Sequence, residues 1–132
     1  MDLIKITPNA ERVKSIVTMT GLIEQRIALQ DRKTMTALIV ADYYEIVKEL
    51  LTAILLLDGY KTVSHKDLFE YFYITYPASF NAHEKTALDE LRVLRNRIAY
   101  EGFMVSSSYL ERNELLFKKI IFKLKAFIPT KL

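Results

Sequence analysis

The chain has 132 residues, 51% of them hydrophobic, with three glycines, three prolines and no cysteine. That length carries one domain with its own core, and the lack of cysteine excludes disulfide staples, thiolate catalysis and cysteine-bound zinc. The formal charge of +3 is unevenly spread: residues 1–105 carry 13 basic and 14 acidic side chains, whereas residues 106–132 carry six basic and two acidic.

Thr7-Pro8 opens the first predicted helix, with Pro at the first helical position. Val13, Val17, Thr20 and Ile27 then carry an apolar stripe to about Gln30. A second helix runs from about Lys33 to Leu57 and stops at Asp58-Gly59. Its second half, Leu50 through Leu57, is apolar nearly all round, which places it centrally in a bundle or under a second subunit. Ser64-His-Lys-Asp67 has the capping-box pattern with Asp in place of Glu, and opens a third helix through Leu68, Phe69 and Phe72. Tyr71-Phe-Tyr-Ile-Thr-Tyr76 has strand propensity. No partner strand is evident, so it is read as helix ending before Pro77. Asn81-Ala-His-Glu84 caps a fourth helix, and Ser108-Tyr-Leu-Glu111 caps a fifth that stops before Pro129.

These elements predict an all-α, five-helix bundle forming a single domain over residues 1–132. No apolar run approaches the roughly 20 residues that span a bilayer. Met1-Asp-Leu-Ile-Lys-Ile-Thr-Pro8 lacks the basic and apolar regions of a signal peptide. The expectation is a soluble, cytoplasmic protein without membrane contact.

Chemistry concentrates in Leu91-Arg-Val-Leu-Arg-Asn-Arg-Ile-Ala-Tyr100-Glu-Gly. At helical spacing, Ala87, Leu91, Leu94 and Ile98 make an apolar stripe, while Arg92, Asn96 and Tyr100 recur at i, i+4 and i+8 on another face. Arg95 falls at the border of the apolar stripe. A partly desolvated guanidinium there is well placed to grip a phosphate or carboxylate. The competing reading is that Arg92 and Arg95 pair with Asp89, Glu90 or acids of neighbouring helices and seal one end of the bundle.

Arg95-Asn-Arg-Ile-Ala-Tyr100 resembles the Arg-polar-three-residues-His signature of HEPN domains, small all-helical proteins of prokaryotes. The resemblance extends to Ala41-Asp-Tyr-Tyr-Glu-Ile-Val-Lys-Glu-Leu-Leu-Thr-Ala and to Asp58-Gly-Tyr-Lys-Thr-Val-Ser-His65. It implies a HEPN-like homodimer that cleaves RNA without metal or cofactor at a site shared by two copies of the motif. Arg95 and Asn96 would bind the phosphate, with Arg92 assisting, and Tyr100 stands where the family has its catalytic His. A phenol with an ordinary pKa of about 10 is a poor base at neutral pH. Losing a general acid/base costs about 100- to 10,000-fold in rate, so ribonuclease activity is expected to be weakened or lost.

The resemblance also implies a toxin–antitoxin or defence module with a minimal nucleotidyltransferase as partner. Some related transferases adenylylate a tyrosine two residues beyond the His; that position is Gly102 here, so that target is missing, and modification of Tyr100 itself is a separate idea that the resemblance does not imply. The alternative function is a non-enzymatic helical adaptor that binds such a transferase or another protein.

Three further groups bear on function. Asp42, Glu45 and Glu49 share a face of the second helix and could orient the arginines of the fourth, although a structural salt bridge is the commoner role. Lys118, Lys119, Lys123 and Lys125 lie opposite the apolar stripe Phe117, Ile120, Ile121, Leu124, Phe127 and Ile128, as on an ordinary outer helix or an RNA-facing one. His65 and His83 are too few for zinc and are read as surface or capping groups. A distant histidine could also stand in for the one that Tyr100 replaces.

Overall fold

The computed structural model describes residues 1–129; the last three positions of the predicted 1–132 domain lie outside the described residues. Among the described residues the helices are α1 (Ala10–Leu29), α2 (Thr36–Leu57), α3 (His65–Thr75), α4 (Ala82–Glu101) and α5 (Ser107–Phe127). The all-α, five-helix architecture is thus the observed one, and Tyr71 to Thr75 are helical.

Helix α2 is the hub. It packs against each of the other four helices, which is why Leu50, Leu51, Ala53, Ile54, Leu55 and Leu56 are all buried within one chain. Each of the leucine and isoleucine side chains contributes roughly 1.5–3 kcal/mol by leaving water. Phe72 of α3, Leu88 and Leu91 of α4 and Phe117, Ile120 and Leu124 of α5 complete the core. No helix among the described residues is long and apolar enough to cross a membrane.

Most helix ends fall where the sequence signals them. Ser64 accepts a hydrogen bond from the Asp67 backbone N–H at 3.1 Å, Asn81 and Glu84 form a reciprocal capping box, and Gly102 ends α4 at φ 65°. Two starts differ. Helix α1 begins at Ala10, because the Asn9 side chain accepts from the Arg12 N–H at 3.1 Å and so outcompetes Pro8 for the entry position. Helix α5 begins two residues earlier than expected, with Ser106 rather than Ser108 accepting from Tyr109 N–H.

The sequence also conceals a two-strand ribbon. β1 (Ile4–Lys5) pairs antiparallel with β2 (Tyr60–Lys61), Ile4 opposite Lys61 and Lys5 opposite Tyr60. Ile6 N–H donates to the Gly59 carbonyl at 2.8 Å. The Asp67 carboxylate accepts from Asp2 N–H at 3.0 Å, the bond that anchors this segment to α3. Below the ribbon, the Tyr71 and Tyr76 hydroxyls both donate to Asp58.

Candidate phosphate site

Helix α4 turns Ala87, Leu88 and Leu91 into the core, which leaves Arg92, Arg95 and Asn96 half-buried along its flank. Arg92 and Arg95 are one turn apart, so their guanidinium groups serve the same side of the helix. Neither forms an ion pair with a carboxylate among the described residues. The sealing salt bridges to Asp89 or Glu90 are therefore not made. Arg97, by contrast, is occupied: it pairs with Glu101 at 3.2 Å and lies 3.7 Å above the Phe103 ring.

What Arg95 meets instead is an aromatic face. Its guanidinium carbon sits 5.8 Å from the centroid of the Tyr44 ring. Tyr44 comes from the middle of α2 and is 0% exposed. Burial pushes its hydroxyl up to about 12, against the opposing pull of Arg95 and Arg92. Both arginines therefore act on this one phenol.

Helix α3 supplies the fourth member. Tyr44 Oη lies 2.9 Å from Nδ1 of His65, and the two ring centroids are 5.8 Å apart. Burial lowers the proton affinity of His65 below the ordinary imidazole value, Lys48 and Arg95 lower it further, and Glu45 and Glu49 oppose them. His65 is thus no mere surface or capping group, as its place beside Ser64 suggested; it joins Tyr44, Arg92 and Arg95 in one cluster built from three helices. His83 is exposed, as expected.

No family model, curated protein or solved structure matches this chain. Its chemistry is therefore read from its own residues.

Asn96 is half-buried beside the arginines. Tyr100 is 80% exposed and follows Arg95 by five residues, about 140° further round the helix. It lies nearer Asn96 and Arg92, about 40° and 80° round the helix from them, on the exposed edge of the flank. Tyr73 of α3 lies on the Arg92 side: its proton affinity is raised by burial and by Asp89 and lowered by Arg92.

The α2 carboxylates are engaged elsewhere. Asp42 takes a two-point contact from Arg26, Nε at 3.0 Å and Nη2 at 2.7 Å, and a further bond from Gln30 at 2.8 Å. Glu45 and Glu49 flank Lys48 at 2.8 and 3.1 Å. None of them orients the α4 arginines directly. On α5, Lys123 pairs with Glu84 and Lys125 with Glu24, so the basic face is partly spent holding the bundle together. A cavity of about 490 Å³ lies away from the arginines between α1 and α5, lined by Tyr43, Ile121 and Phe122 among others. No group of three or more His, Cys, Asp or Glu able to hold a metal occurs among the described residues.

Proposed function

We propose that the chain is a HEPN-type helical protein that binds RNA or nucleotides through their phosphates, as part of a toxin–antitoxin or defence module in the cytoplasm. The observation that carries this reading is the pair Arg92 and Arg95, half-buried on one flank, Arg95 over the Tyr44 ring, with no ion-paired carboxylate among the described residues. Partly desolvated guanidinium groups are costly to leave unmatched, and a phosphate supplies both the charge and the fork-matched acceptors they lack. Asn96 adds an amide to the same flank. Tyr100 occupies the place of the motif His, which makes a metal-independent ribonuclease activity weak or absent on this reading. A homodimer fits it, because a second copy brings a second motif.

A second reading, a helical adaptor for a nucleotidyltransferase or other protein, draws support from a different surface. Val93, Tyr100 and Met104 are 51%, 80% and 74% exposed, an apolar strip along the outer side of α4 and just beyond it.

The deciding experiment is binding of a fluorescent RNA oligonucleotide by anisotropy across a salt series, with cleavage followed in excess EDTA. The phosphate reading expects affinity that falls with salt and is lost in Arg92→Ala/Arg95→Ala. RNA affinity that is absent, or indifferent to that double substitution, would favour the adaptor.

A further inference from the structure

The hydrogen bond between Tyr44 and His65 decides where the imidazole keeps its proton. Tyr44 is fully buried, and Nδ1 of His65 is the partner of its hydroxyl. Burial keeps the phenol protonated at neutral pH, so its O–H must find an acceptor. If Nδ1 also carried a proton, it would take the phenol oxygen as its own acceptor and strand the buried O–H. The bond is satisfied when Tyr44 donates and Nδ1 accepts.

His65 is neutral near pH 7, since burial, Lys48 and Arg95 all disfavour the imidazolium and only Glu45 and Glu49 favour it. Those two carboxylates are themselves matched by the Lys48 ammonium between them. A neutral ring that accepts at Nδ1 carries its one proton at Nε2. Among the described residues Nε2 has no hydrogen-bond partner, and it is not one of the buried unpartnered atoms, so it opens to solvent. In this tautomer it has no free lone pair with which to take a proton from an attacking hydroxyl. It is a hydrogen-bond donor.

We propose that Tyr44 fixes His65 as an Nε2–H donor that joins Arg95 and Arg92 in a three-part clamp for phosphate oxygens, built to hold a phosphate rather than to cleave its ester. The inference rests on the phosphate-binding reading above and names a binding residue on a different helix from the arginine motif. The ligand chemistry is a phosphate mono- or diester anion; a nucleotide's terminal phosphate and an RNA backbone phosphate both present it.

The test is ring-nitrogen NMR of the purified full chain, followed by titration with adenosine monophosphate and, separately, a dinucleoside monophosphate. The expected spectrum at pH 7.5 has the His65 proton on Nε2 with Nδ1 as acceptor. Adenosine monophosphate should move the His65 resonances and raise the midpoint of its titration, because a bound anion favours the imidazolium. His65→Ala should weaken binding by about tenfold or more, and Arg95→Ala should abolish the ligand-induced shift at His65. Tyr44→Phe should release the tautomer into a mixture. Response to the monophosphate alone assigns a terminal phosphate; response to both ligands assigns the backbone phosphate.

A proton on Nδ1 overturns the proposal. So does monophosphate binding that is unchanged in His65→Ala yet lost in Arg95→Ala, an outcome that leaves the phosphate reading standing. Binding unchanged in both variants removes the clamp and the phosphate reading together. Should His65→Ala not fold, the tautomer and the ligand-induced shift in the native protein decide the matter.

Discussion

Lys123 Nζ lies 2.8 Å from one carboxylate oxygen of Glu84 and 2.9 Å from the other, tying α5 to the first turn of α4. Glu84 is fully buried and also closes the capping box by accepting from Asn81 N–H at 3.0 Å. One carboxylate thus serves both the start of the arginine-bearing helix and its docking. Removing the ammonium leaves a buried charge half-satisfied. Lys123→Met is expected to cost about 3 kcal/mol, the lower end for a broken buried pair because the lysine end reaches solvent. Lys119→Met, on the exposed side of the same helix, should stay within about 0.5 kcal/mol. Urea denaturation of the two variants makes the comparison.

Acid should unfold the protein in two steps. The folded-state proton affinity of His65 is below the ordinary 6.5, so the unfolded chain takes up that proton first. Stability is full above pH 6.5 and begins to fall as pH drops through it. Burial raises Glu84, but its bonds from Lys123 and Asn81 bring it, net, below the ordinary 4.5; Glu114 behaves likewise through Tyr43 and Arg32. Their contribution is present above pH 4.5 and lost as pH falls through the lower folded values. Urea midpoints measured from pH 8 to pH 3 should show both losses. His65→Gln should remove the first and Glu84→Gln should shrink the second.

The glycine that ends α4 can be separated from the one that ends α2. At Gly102 a Cβ meets nothing within 4 Å, so Gly102→Ala carries only the left-handed backbone cost at φ +65°, about 1–2 kcal/mol. At Gly59, φ is +90° and the Ile6 carbonyl oxygen lies 3.4 Å from the Cβ position. Gly59→Ala should therefore be the more damaging substitution. Thermal melts that ranked the two in the opposite order would contradict this account.

Tyr100 and Arg95 should part company in function. Tyr100→Phe removes one exposed hydroxyl and should change neither stability nor RNA affinity measurably. Arg95→Ala should lower RNA affinity by about tenfold or more, since bonds from charged donors are the strong ones, and should flatten the salt dependence by about one phosphate contact. Anisotropy titrations at two or more salt concentrations read both effects.

Most helix ends were legible because they carry their own punctuation, whereas the start of α2 after Met35 has no side-chain cap to mark it. Asn81 with Glu84, Ser64 and Gly102 mark such ends through interactions a few residues long, which composition reveals. The ribbon was not, since Ile4–Lys5 and Tyr60–Lys61 are too short to show a period and pair across two intervening helices. Among Ser106, Ser107 and Ser108 any hydroxyl could cap α5, and the choice falls to how the helix docks. The arginine flank could be read from spacing along one helix. Its completion by Tyr44 and His65 could not, because those residues meet only after α2, α3 and α4 have packed, and a lone histidine after a serine cap signals nothing by itself.

The ribbon between β1 and β2 has a kinetic meaning as well as a structural one. Its strands cannot meet until α1 and α2 have folded back on one another, so its closure comes late in the assembly of the chain. The Ile6 amide, bonded to Gly59, therefore serves as a clock: its hydrogen exchange should open before that of the α2 amides and report the unlatching of the first segment while the helices still stand.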